Sequence, residues 1–215
     1  MISDIITYIN SYLDYAKKYG LVEQYRDKGS IYPAEYCNSG EYNHIDFDKY
    51  KSVLYHRING NVSRSEALIF GCEEAITETY PMLAVLYLPK DCDTDNSYSN
   101  LNQVNELAND IKNIDLNTLR KQFNLIDLDI TINDTNIDSF SVWGSEFDNV
   151  NPRRPSAAFK LPSTHMLVSL SYSLQLTGTA SCLASNINTT TIFKFGGIKD
   201  TLPPYDYKLI DTSLT

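Results

Sequence analysis

Two stretches of strict alternation constrain this chain more than any other feature. Ile126, Leu128, Ile130 and Ile132 alternate with Asp127, Asp129, Thr131 and Asn133. Further on, Met166, Val168, Leu170, Tyr172, Leu174 and Leu176 alternate with Leu167, Ser169, Ser171, Ser173, Gln175 and Thr177. A period of two puts successive side chains on opposite faces, so each stretch predicts a strand with one apolar and one wet face. Half-wet strands of this kind belong to sheets that need helices on only one side.

The helices are visible by their own period. Ile2, Ile5, Ile6, Ile9, Leu13 and Ala16 share one face and predict an amphipathic helix over residues 2–19. Ser3 or Asp4 can cap it, and Gly20 stands where a left-handed C′ residue is wanted. Leu101, Val104, Leu107, Ala108 and Ile111 predict a second helix after a polar loop over residues 91–100; Leu116, Leu119 and Phe123 predict a third. Residues 29–36 read as a short extended piece that Pro33 confines to a sheet edge. Residues 53–58 read as a strand, with Asn59-Gly60 either a type I′ hairpin or a loop tip. A strand over residues 65–76 follows, and residues 80–88 form a buried strand fenced by Pro81 and Pro89. Residues 134–162 read as a long loop and residues 191–195 as one more strand. The sum is an α+β fold, an antiparallel or mixed sheet with the N-terminal helix and the inserted helix pair packed on one face. It predicts a single domain over residues 1–200 and an extended arm over residues 201–215.

Charge narrows the function. With 18 Lys+Arg against 27 Asp+Glu the net charge is −9, and a phosphate backbone would be repelled rather than gripped. No basic leader followed by an apolar run is present, and no apolar run reaches membrane-spanning length, so neither a secretory signal nor a membrane partner is expected. The four cysteines are scattered without a C-x-x-C pair and read as reduced thiols.

Catalytic motifs are sparse. Asp91, Asp93 and Asp95 copy the start of a calcium loop, but Asn96 replaces its glycine and Asn102 its bidentate glutamate. A solvated loop before a helix is the simpler reading. Asp127 and Asp129 lie on the wet face of an alternating strand and need only solvate it. His44, His56 and His165 show no metal-ligand spacing, and each reads as an ordinary surface or strand residue. No nucleophile elbow, phosphate loop or dinucleotide fingerprint occurs. No enzymatic activity and no cofactor are expected.

Two segments point to partners instead. Arg153-Arg154, flanked by prolines, is either a pair of solvated turn charges or a salt-bridging contact to an acidic partner. The tail carrying Pro203, Pro204, Tyr205 and Tyr207 is either a disordered end or an arm that docks on a neighbour.

The order of elements, with the Ile5-Ile6-Ile9-Leu13 helix first and the two amphipathic strands last, resembles the neck and tail-terminator proteins of tailed phages. Tyr80-Pro81-Met82-Leu83-Ala84-Val85 and the inserted helices fit the same order. The segment from Gly29 to Tyr42, with Ile31-Tyr32-Pro33-Ala34-Glu35-Tyr36 at its centre, looks like stretches in structural proteins of phages of gut Bacteroidetes, the crAss-like group among them. This resemblance implies a virion structural protein that forms a homo-oligomeric ring at the head–tail joint and is assembled in the host cytoplasm. It implies contacts with other neck, portal or tail proteins, and DNA passing through the lumen without specific binding. The Ser/Gln face of the last strand (Ser169, Ser171, Gln175) and the tail are the candidate subunit contacts. The alternative is an acidic glycan- or protein-binding module, calcium-dependent through the Asp91–Asp95 loop and motivated also by Trp143 and the many tyrosines.

Overall fold

The computed structural model describes residues 1–27, 30–36, 41–69, 73–90, 97–147 and 161–179. Helix α1 (Ile2–Ser11) opens the chain and leads into strands β1 (Lys17–Asp27), β2 (Ser30–Tyr36), β3 (Tyr42–His44), β4 (Val53–Ile58), β5 (Ser63–Ile69) and β6 (Glu73–Pro89). Helices α2 (Ser97–Lys112) and α3 (Asn117–Gln122), strand β7 (Asp127–Asn136), helix α4 (Ser139–Phe147) and strand β8 (His165–Thr179) complete it. The strands build one eight-stranded sheet in the order β3-β2-β1-β4-β6-β8-β7, with β5 also on β6. Only β1 and β4 run parallel, so the sheet is mixed. The fold is α+β, as the alternation predicts.

One face of the sheet carries the larger core. Ile5, Ile6 and Ile9 of α1, Val104, Leu107 and Ile111 of α2 and Leu119 of α3 pack there against Leu86 of β6, Leu128 and Ile130 of β7, and the even-numbered residues of β8. Every one of Met166, Val168, Leu170, Tyr172, Leu174 and Leu176 is buried. Full burial of a residue of this size contributes roughly 1.5–3 kcal/mol, so this face dominates the hydrophobic term. Helix α3 ends in a Schellman motif. Asn124 sits at φ 52°, and Leu125 N–H and Asn124 N–H donate to the carbonyls of Arg120 at 2.9 Å and Lys121 at 3.2 Å.

The structure corrects the expectations at several points, each for a local reason. The first helix stops at Ser11, and Gly20 lies inside β1 rather than at a helix end. Its N–H donates to Glu35 Oε1 at 2.7 Å, where a Cβ would come within 2.9 Å of the same oxygen. A side chain there would displace only the end of Glu35, and the glycine stands beside a register shift in β1. Pro33 is not on the edge strand, because β3 pairs further along β2 from Ala34 to Tyr36. Asn59-Gly60 is a loop tip, since β4 and β5 do not pair with each other. Both pair with β6, β4 along Met82–Tyr87 and β5 along Glu73–Thr79.

That arrangement lets β6 run straight through Pro81. The missing N–H faces the gap between β4 and β5, and the Pro81 carbonyl accepts from Asn59 N–H at 2.7 Å. Residues 65–76 accordingly divide between β5 and β6 rather than forming one strand. The polar stretch before α2 is shorter than expected, because Ser97–Asn100 is already helical. Ile126 lies just outside β7 and is 46% exposed, the one member of its apolar row to face water.

The largest departure concerns residues 134–162, which are not all loop. Strand β7 extends to Asn136, and α4 then crosses the opposite face of the sheet. A second core forms under it from Tyr19, Val53, Tyr55, Val85, Tyr87 and Leu167, capped by Val142 and Phe147 of α4 and by Ile45 and Phe47. Helices therefore lie on both faces, α1, α2 and α3 on one and α4 alone on the other. The strand expected over residues 191–195 and the arm over residues 201–215 lie outside the described residues.

Candidate functional site

Cross-strand partners share a face, so the register shows what α4 leaves uncovered. Arg57 of β4 is opposite Leu83 of β6, Leu83 is opposite Ser171 of β8, and Ser171 is opposite Asp134 of β7. This row marks the limit of the second core. Beyond it, Pro81, Ser173 and Thr131 form the next row, followed by Ser63, Thr79, Gln175 and Asp129, then Ser65, Thr77, Thr177 and Asp127. These positions are half-buried or exposed, and they carry hydroxyls and an amide with two carboxylates at one margin and no cation. The hydroxyls bond laterally. Thr77 and Thr177 meet at 3.0 Å, Asn133 Nδ2 donates to Ser173 Oγ at 2.9 Å, and Thr131 Oγ1 donates to Asp129 at 3.3 Å. A surface four strands wide results, uncharged except for Asp127 and Asp129 at its β7 margin. Strand β5 adds an exposed margin over residues 63–67.

The boundary of that surface is held by charge. Glu146 of α4 is fully buried, and its Oε1 takes both Nε of Arg57 at 2.9 Å and a terminal nitrogen of the same guanidinium at 2.8 Å. Its Oε2 accepts from the Tyr55 hydroxyl at 2.9 Å. Burial, then the neighbouring carboxylate, pushes the Tyr55 phenol well above its ordinary range, so it acts only as a donor. A nine-residue helix with two apolar anchors would be weakly held by packing alone; the ion pair fixes where it sits.

The helix-covered face holds a neutral counterpart. Asn10 Nδ2 donates to the Tyr19 carbonyl at 2.8 Å, which leaves Oδ1 to accept from His56 Nε2–H at 3.1 Å. His56 Nδ1 then accepts from the Tyr172 hydroxyl at 3.0 Å. Desolvation alone pushes the His56 imidazole down to about 3, so it is neutral, and burial pushes Tyr172 up. With each of these polar groups partnered and buried, the chain is a structural element rather than a proton shuttle.

A third feature is a cleft of about 560 Å³ between β2, β3, residues 45–48 and α4, lined by Tyr32, His44, Phe47, Phe147, Asp46 and Asp48 among others. His165 lies elsewhere, stacked on Tyr87 at 4.7 Å between ring centroids.

Of the residues singled out from the sequence, Gln175 stands on the open face and Ser171 in the row that bounds it. Ser169 is only 5% exposed, beneath the α4 side of the sheet, so its side chain faces protein. Arg153, Arg154, Tyr205, Tyr207 and the Asp91–Asp95 loop lie outside the described residues, as do all four cysteines. Among the described residues no group of three or more His, Cys, Asp or Glu is placed to hold a metal ion. No helix among them is long and apolar enough to cross a membrane. The Glu146–Arg57–Tyr55 cluster and the cleft were not visible in the sequence. The chain matches no known family model, and no curated protein matches it.

Proposed function

We propose that this chain is a structural subunit of a tailed-phage virion that closes into a homo-oligomeric ring at the head–tail joint. The observation that carries the reading is the open half of the sheet. Its Ser, Thr and Gln side chains on β5, β6 and β8 stand in rows free of cations, and Thr77 bonds Thr177 across β6 and β8. An uncharged sheet face loses little on desolvation when a matching surface replaces water, because each hydroxyl can exchange one hydrogen bond for another. A ring closes through a heterologous interface, which pairs two different surfaces of one subunit. The open face, which runs from its boundary at Ser171 past Ser173 and Gln175, supplies one of them.

The order of elements supports the same reading. An N-terminal helix, a sheet, an inserted helix pair and the adjacent strands β7 and β8 follow the order of elements on which the resemblance to neck and tail-terminator proteins rests, and α4 on the opposite face departs from it. A net charge of −9 suits a subunit whose lumen lets DNA pass without holding it. Mass spectrometry of purified particles tests the location. Detection of this chain at multiple copies per particle supports the proposal, and its absence from intact particles overturns it. Negative-stain microscopy of the purified protein adds the shape, with closed rings as the expected result.

A further inference from the structure

Three strands of the sheet, β3, β5 and β7, pair on one side only among the described residues, and two of them discourage a further strand. Strand β3 is three residues long. Strand β7 carries the exposed carboxylates of Asp127, Asp129 and Asp134 and breaks register between Ile132 and Asp134. Strand β5 has neither protection. It runs seven residues without a proline, and its register on β6 is unbroken from Ser63 opposite Thr79 to Ile69 opposite Glu73. Residues 63–67 are all exposed, and their two charges, Arg64 and Glu66, cancel. A regular strand with one open side presents a row of backbone donors and acceptors that an added strand satisfies.

The side chains along this edge fit a second copy of the same edge. Antiparallel strands set residues of one face opposite each other, about 4.5–5.5 Å apart. With a two-fold axis at Ser65, Arg64 stands opposite Glu66 of the second copy, and Glu66 opposite its Arg64. On the open face Ser63 meets Ala67 and Ser65 meets Ser65, all of them small. A slip of two residues brings Arg64 onto Arg64 or Glu66 onto Glu66. A slip of one sets an outward backbone group opposite an inward one, so a single register is complementary. Within one subunit Arg64 and Glu66 form a 3.3 Å ion pair that is 48% and 57% exposed and contributes little alone. Two-fold pairing gives each of the four charges a second opposite neighbour.

We propose that β5 pairs antiparallel with β5 of a second copy of this chain about a two-fold axis at Ser65, joining the two sheets edge to edge. The contact uses the edge rather than the open face, so it does not rest on the ring reading. Its seven residues a side are far fewer than the ~20–30 of a stable interface, so the pair forms in concentrated protein and separates on dilution. Oxidation of concentrated full-length Ser65→Cys, followed by non-reducing gels and peptide mass mapping, tests it. The two new thiols face each other at a separation that a disulfide spans, so a dimer linked between the two copies of position 65 is expected. Ser63→Cys should link to its own copy about tenfold more slowly, because four residues of strand hold the two copies roughly 13 Å apart. Adding Arg64→Glu to Ser65→Cys brings four acids together and should slow linking about tenfold. Adding Arg64→Glu and Glu66→Arg together restores opposite pairs and should recover the rate. Ser173→Arg/Gln175→Arg should leave it unchanged. Closed rings without a link at position 65 overturn this inference alone and leave the ring reading standing. Equal linking at positions 63 and 65 would mean random collision and overturn it, as would a rate indifferent to charge reversal. A link from the new thiol to Cys182 would overturn it in favour of the chain's own later residues on that edge.

Discussion

The two faces of this sheet are built from the same strands and held by opposite means. On one side, α1, α2 and α3 cover an aliphatic layer sealed by the neutral Asn10–His56–Tyr172 chain. On the other, α4 alone covers a smaller layer rich in aromatic rings and is fixed by the buried Glu146–Arg57 pair. The difference teaches how coverage is positioned. A broad apolar contact needs no charge to locate it, whereas a short helix at the margin of a wet surface does. The ion pair lies where the core stops, so Arg57 and Glu146 set how much of the sheet stays open.

Removing that anchor has the largest expected effect. Glu146→Ala leaves Arg57 and the Tyr55 hydroxyl facing an empty place, at a cost of about 3–5 kcal/mol. Trp143, the single tryptophan, belongs to α4 and reports on it alone. Urea unfolding followed by Trp143 fluorescence should therefore precede the loss of ellipticity in the variant and coincide with it in the wild type.

The neutral chain can be tested by pH. His56 titrates near 6.5 when unfolded and near 3 when folded, because burial disfavours the imidazolium. The unfolded chain thus binds a proton that the native one excludes between those values. Its contribution is fully present above about pH 6.5 and is lost as the pH falls towards 3. Urea midpoints across this window should show the wild type losing up to about 1.4 kcal/mol per pH unit more than His56→Gln. Equal slopes would place the imidazole in contact with solvent.

A smaller change sharpens the other side. Gly144 lies in α4, and nothing stands within 4 Å of where its Cβ would be. Gly144→Ala should stabilise α4 by about 0.5–1 kcal/mol, read as a later Trp143 transition in urea.

How much was legible follows from these same elements. Strands β7 and β8 and the packing faces of α1, α2 and α3 were readable because a single periodic pattern determines each. Pro81 misled, since whether a proline ends a strand depends on what its nitrogen faces. Here the gap between β4 and β5 is a tertiary fact absent from the local sequence. Helix α4 was hidden by its shortness, by Gly144 and by the irregular spacing of Val142 and Phe147, the buried apolar anchors among its described side chains. Glu146 therefore looked like any surface acid until the fold brought Arg57 and Tyr55 to it from 89 and 91 residues away. The open face was half visible. The alternation showed that Ser171, Ser173 and Gln175 point away from the aliphatic core, but only the register showed which part α4 covers.

As an assembly surface, the open face should govern the sedimentation velocity of the wild type and of Ser173→Arg/Gln175→Arg. The wild type should sediment as a closed oligomer. The double variant should sediment at low concentration as a 24.4 kDa monomer with unchanged ellipticity, because two long side chains there hold a partner's surface away from the sheet. A wild-type chain that stays monomeric at every concentration, or an oligomer that the two arginines leave intact, would contradict that role for the open face.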